Sequence, residues 1–115
     1  MKLQLFGLKN CDTCKKAMKW LDAEDVPFVF VDIRLETPGA DTLQSWIEDV
    51  GGDLLINRRS TTWRELSEAT RQKVTGGDAV PTLLEHPTLI KRPVLVGAGP
   101  TRVGFDPKVW SSLLS

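Results

Sequence analysis

Residues 2–33 constrain this chain most, because they read as strand, helix and strand in quick succession. The apolar run Leu3-Gln4-Leu5-Phe6 predicts a first strand over residues 2–6. Cys14, Ala17, Met18 and Leu21 then recur at helical spacing with lysines on the other face, which predicts a helix to about Glu24. Asn10 or Asp12 supplies its cap. Val26-Pro27 ends that region, and Phe28 to Ile33 is rich in β-branched and aromatic residues, the signature of a second strand. Two strands joined by a helix in so few residues run parallel.

The only two cysteines, Cys11 and Cys14, fall at the turn from the first strand into the first helix. The first backbone N–H groups of a helix have no intrahelical partner, and that end of the helix is positive. A thiolate there is stabilised, and the thiolate is the nucleophile. Lys9, Lys15 and Lys16 add positive potential. In a C-x-x-C turn the first cysteine is the exposed one, so Cys11 is assigned as nucleophile and Cys14 as a possible resolving thiol. Asp12 and Thr13 serve the helix N-terminus through backbone hydrogen bonds, and the charge of Asp12 could instead raise the Cys11 pKa. Two structural thiols are a competing reading. Half a zinc site is a weaker one, since zinc needs four ligands and the only other soft candidate is His86. No metal is therefore expected. His86 itself reads as a structural or capping residue.

The rest of the chain extends this opening. A second amphipathic helix carries Leu43, Trp46, Ile47 and Val50 on one face and stops at Gly51-Gly52. Residues 57–62 read as a polar loop. Trp63 to about Val74 reads as a helix with Trp63, Leu66, Ala69 and Val74 inward, broken by Gly76-Gly77. Pro81 suits the first turn of a short helix over Thr82 to His86. Val94-Leu95-Val96 and Thr101 to Phe105, joined by Gly97-Ala98-Gly99-Pro100, read as a β-hairpin, and a last helix ends near Leu114. The four tryptophans read as core or edge packing, with Trp63 set apart because it follows the arginine-rich loop.

This order, β-α-β, a helical block, then β-β-α, resembles the thioredoxin-like arrangement. The expectation is an α/β (α+β) protein: one domain over residues 1–115, a four-stranded mixed sheet, and a helical insertion at about 40–90 between strands 2 and 3. In that arrangement a cis proline precedes the third strand, and Pro93 occupies the slot. One hundred and fifteen residues suffice for one domain with a real core, and fifteen acidic residues against fifteen basic ones give no bulk charge to favour nucleic acid or a membrane surface. No cleavable signal pattern or long apolar run is evident. Two close cysteines in such a chain point to a reducing compartment, hence a cytoplasmic protein, expected as a monomer.

Three stretches carry a family resemblance: Gly7-Leu8-Lys9-Asn10-Cys11-Asp12-Thr13, Thr61-Thr62-Trp63-Arg64, and His86-Pro87 with Lys91-Arg92-Pro93. Together they resemble the ArsC-related family, which holds glutaredoxin-dependent arsenate reductases, the Spx transcriptional regulators and a YffB-type branch of thiol reductases. The first two stretches are most similar to the YffB-type branch. The resemblance covers essentially the whole chain and implies a thioredoxin-like fold with a reactive Cys11. It also implies that arginines hold an anion beside that cysteine. Arg92 and Arg102 match two of them, and the third falls in Asn57-Arg58-Arg59, with Arg59 favoured. Arginine suits the task because its forked donors fit tetrahedral oxyanions and carboxylates. Arg64 is expected on a solvated helix face.

The reading is a glutathione-dependent thiol–disulfide oxidoreductase in which Cys11 attacks and glutathione or Cys14 resolves. Its partners would be glutathione or glutaredoxin and a small-molecule or protein disulfide, with no bound cofactor. Classical arsenate reductases of this type lack the second cysteine, so Cys14 is either a resolving thiol or dispensable. Arsenate reduction is the first alternative. An Spx-like redox regulator that binds RNA polymerase is the second.

Overall fold

Four short strands form one mixed sheet in the order β2-β1-β3-β4. β1 (Gln4–Gly7) pairs in parallel with β2 (Val29–Asp32) and antiparallel with β3 (Val94–Val96), which pairs antiparallel with β4 (Arg102–Val103). The structure is a computed structural model and describes residues 3–114, so the residue-2 start expected for the first strand lies outside the described residues. The chain divides into two compact units, Met1–Asp32 with Arg92–Ser115, and Ile33–Lys91.

The first unit holds the sheet, α1 (Asp12–Ala23) and α7 (Pro107–Leu114). α1 buries Cys14, Ala17 and Leu21, the stripe predicted from their spacing. Leu3, Leu5, Ala17, Leu21, Leu95 and Trp110 form the core, with Trp20 and Phe105 packed against it. Trp110 meets both rings edge-on, at 6.0 Å from Trp20 and 4.9 Å from Phe105. Each such side chain contributes ~1.5–3 kcal/mol by burial, far more than intrinsic helix propensity, so packing holds these helices. α1 ends where Asp25 turns left-handed at φ 56 and Val26 N–H reaches back to Leu21 O at 2.9 Å.

The second unit is helical: α2 (Ala40–Val50), α3 (Gly52–Leu55), α4 (Thr61–Glu65), α5 (Glu68–Thr75), α6 (Val80–Glu85) and a 3₁₀ turn, Pro87–Leu89. α2 buries Leu43 and Trp46 and stops at Gly51, whose φ of 92 favours glycine. A new short helix, α3, starts at once with Gly52. Two expectations are corrected here. Residues 63–74 are two helices, because Leu66 is extended and the Ser67 hydroxyl accepts from Thr70 N–H, starting a new one. Ala69, expected inward, lies exposed in the first turn of that new helix. Among the described residues no helix is long and apolar enough to cross a membrane.

Candidate active site

The sheet register locates the site. Gln4 faces Val96 and Phe6 faces Val94, so continuing the ladder puts Pro93 opposite Gly7, where the chain leaves β1 for α1. Gly104 N–H donates to Pro93 O at 2.9 Å from the other side. The Arg92–Pro93 peptide is cis, as the thioredoxin-like order led one to expect. From Gly7 the chain turns tightly, with Cys11 N–H donating to Leu8 O at 3.2 Å, and α1 begins with Lys15 N–H donating to Cys11 O at 2.9 Å.

Cys11 is itself the N-cap of α1, extended at φ -89, ψ 122. Asn10, proposed as a cap, lies exposed before it, and Asp12 and Thr13 are exposed in the first turn. No side chain makes the usual capping hydrogen bond. The place of a capping oxygen is thus taken by a sulfur, a poor acceptor as a thiol and a good one as a thiolate.

The groups around that sulfur decide its charge. Partial burial pushes the Cys11 pKa up, but the Cys14 backbone N–H, the Cys14 thiol and the Arg92 guanidinium together bring it below the ordinary thiol value. Cys14 goes the other way. It is fully buried, and burial, aided by the hydrogen bond and charge of Cys11, pushes its thiol up to about 12 against the pull of Leu8 N–H and Arg92. The two thiols are thus pushed apart: Cys11 ionises more readily than an ordinary thiol, while Cys14 keeps its proton and can donate to it. Neither is in a disulfide. Lys9, Lys15 and Lys16 are exposed, where water screens them, and the cation that acts on Cys11 comes from far along the chain as Arg92.

Arg102 faces Leu95 across the β3–β4 ladder, which places it on the sheet face of the Leu5–Leu95 core. It is half-buried, and its Nε is buried with no hydrogen-bond partner among the described residues. A buried donor left unsatisfied costs ~1–3 kcal/mol, so an acceptor is wanted there. Cys11, Cys14, Arg92, Pro93 and Arg102 all belong to the sheet unit. Arg59 belongs to the helical unit, exposed in the turn before α4, with its N–H donating to Asn57 Oδ1 at 3.1 Å. Arg64 is exposed as expected and donates to Arg59 O at 3.2 Å.

Two residues escaped the sequence reading. Arg71 stacks on the half-buried Trp63 ring at 5.7 Å, donates from Nε to Trp63 O at 3.1 Å and from a terminal nitrogen to Arg64 O at 2.8 Å. Arg58 lies over the same ring at 5.8 Å. The other missed residue is Gly7. It ends a strand directly before a C-x-x-C turn, a signal present in the sequence.

A cysteine at the N-terminus of the helix that follows the first strand, on this sheet order, defines the class: a thioredoxin-like protein. The ArsC family model matches residues 6–113, and the chain belongs to the ArsC family. It is 37% identical over 110 residues to an uncharacterized protein of Haemophilus influenzae, covering 96% of each chain. The solved structure of a YFFB protein is similar throughout, with a TM-score of 0.92 at 37% identity over 98% of this chain and 99% of that one. The global transcriptional regulator Spx of Bacillus subtilis is 27% identical over 104 residues, 89% of this chain and 79% of Spx.

Proposed function

We propose that the protein is a cytoplasmic, glutathione-dependent thiol–disulfide oxidoreductase with Cys11 as its nucleophile. One observation carries the reading: Cys11 stands at the N-cap position of α1, with the Cys14 N–H, the Cys14 thiol and Arg92 directed to its sulfur. The Cys11 thiolate attacks one sulfur of a disulfide. The S–S bond breaks, the departing sulfur leaves as a thiolate, and a mixed disulfide forms on Cys11. Glutathione thiolate then attacks the partner's sulfur in that mixed disulfide, expelling the Cys11 thiolate and carrying the partner off as a disulfide with glutathione. Alternatively Cys14 attacks the Cys11 sulfur, its proton passing to the departing partner thiolate, and two glutathiones reduce the Cys11–Cys14 disulfide, leaving as oxidised glutathione. Arg92 and Arg102 hold an anionic group of the incoming molecule, a carboxylate of glutathione in this reading.

The orphaned Nε of Arg102 also favours a second substrate, arsenate, whose oxygens suit the same forks. Similarity to Spx together with the C-x-x-C pair supports a regulator that binds RNA polymerase. One experiment separates the first two: mass spectrometry of the purified protein after oxidised glutathione, and then after arsenate with glutathione. The reading expects a glutathione adduct on Cys11 that is absent in Cys11→Ser. Cys11 left unmodified while arsenate is turned over in the presence of glutathione would favour the arsenate reading. Retention of RNA polymerase α subunit on the immobilised protein, with no adduct on Cys11, would favour the regulator.

A further inference from the structure

Gly7 is one of four glycines in the chain whose backbone does not call for glycine. Positive φ values occur at Gly51, Gly77, Gly97, Gly99 and Gly104, and not at Gly7. Its requirement is one of space. A Cβ built on Gly7 would run into the Cys14 sulfur, whereas its next neighbours, Cys14 Cβ at 3.4 Å and Phe30 Cε1 at 3.6 Å, are at ordinary contact distance. One atom, the sulfur of Cys14, thus fills the place of a side chain at position 7. That sulfur is at the end of a one-carbon side chain and has no flexible stem with which to give way. It escapes only by rotating about χ1, and inside a helix one of the three rotamers is closed by the preceding turn.

We infer that Gly7 is a positioning residue: by leaving strand β1 bare, it lets the Cys14 thiol lie under the strand end and in contact with Cys11. Any side chain at position 7 turns that thiol away. The inference rests on the reading of Cys11 as the nucleophile, and it assigns Cys14 a definite duty, that of a buried thiol donating to the Cys11 sulfur. The groups directed to Cys11 are Cys14 and Arg92; Lys9, Asp12 and Lys15 nearby in the chain are exposed. Loss of the Cys14 contact leaves Arg92 and the helix N-terminus in place, so Cys11 stays reactive but ionises at higher pH.

The test is a double-mutant cycle on Gly7→Ala and Cys14→Ala, read as the pH profile of iodoacetamide labelling at Cys11, with thermal melting in parallel. Gly7→Ala should lower the Cys11 labelling rate at neutral pH about tenfold, the change in thiolate fraction for one pKa unit. Cys14→Ala should do the same. The double variant should lose no more than either single one, and should melt higher than Gly7→Ala because the new methyl enters the space the sulfur left. A merely structural role would shift melting and leave the profile unchanged. Should Gly7→Ala fail to fold, the double variant against Cys14→Ala still decides, because equal melting and equal profiles are required. A Gly7→Ala profile identical to the parent, or losses that add, overturns the inference. A parent protein whose Cys11 does not label faster than a free thiol overturns instead the reading on which it rests.

Discussion

Both units of the chain bury apolar side chains, but they fix the ends of their elements by different means. In the sheet unit β1, β3, α1 and α7 contribute side chains to one core, and strands of two to four residues suffice because that core sits on them. In the helical unit, α3, α4 and α6 are four to six residues long, too short to persist by propensity. There local polar devices fix the ends. Ser60 and Ser67 hydroxyls cap α4 and α5, and Arg71 of α5 reaches back to two carbonyls of α4. A core of periodic apolar residues can be read along a chain, while a side chain that caps another helix's carbonyls can be read only with the fold in hand.

If this contrast holds, substitutions should rank accordingly. Trp110→Ala removes the ring that Trp20 and Phe105 both meet. It should cost about 3–5 kcal/mol in urea unfolding. A loss under 1 kcal/mol would mean that the aromatic cluster is not what holds α7 (~1 kcal/mol being the centre of the distribution for ordinary substitutions).

In the helical unit Arg71→Ala should cost about 2 kcal/mol, since it removes two charge-assisted bonds that are partly exposed. Arg71→Lys should recover less than half, because an ammonium cannot span both carbonyls and the ring as a planar fork does. Full recovery by lysine would show charge alone at work. Ser67→Ala should cost about 1 kcal/mol, the usual value of a cap. It should also lower helicity in circular dichroism if α4 and α5 are separate helices, whereas a continuous helix would gain from alanine.

The sheet unit also contains a pH dependence. Cys14 has a folded pKa of about 12, above an unfolded thiol's ~8.5. Between those values the unfolded chain has lost the proton and the folded one retains it, so stability is full below about pH 8.5 and falls as pH rises toward about 12. Cys14→Ala should flatten that alkaline slope in denaturation curves taken at several pH values. An unchanged slope would show that Cys14 ionises in the folded protein as readily as in the unfolded one.

What the sequence made legible follows the same division. The βαβ opening, the α1 stripe of Cys14, Ala17 and Leu21, the stop at Gly51 and the β3–β4 hairpin all come from short-range periodicity and turn chemistry. The break at Leu66 was missed because the apolar spacing runs through it, although Ser67 followed by Thr70 was a readable start signal. The Cys11 environment was half legible. Its place at the helix start follows from local pattern, but the cation that acts on it is Arg92, eighty-one positions away, and none of the nearby lysines. Only the family resemblance pointed to Arg92, because nothing local ties residue 92 to residue 11. Gly7 is plain in the sequence, but its bare backbone acquires meaning only in the fold, where the Cys14 sulfur occupies the place of its missing side chain.

The central claim is that Cys11 is the ionised, attacking thiol and Cys14 its buried, protonated neighbour. It is tested most directly by labelling the folded protein with iodoacetamide across pH and assigning each product by mass spectrometry. The account predicts that Cys11 labels first, with a midpoint below that of an ordinary thiol, and that Cys14 stays unlabelled until the protein is unfolded. Equal labelling of the two cysteines, or Cys14 ahead of Cys11, would contradict it.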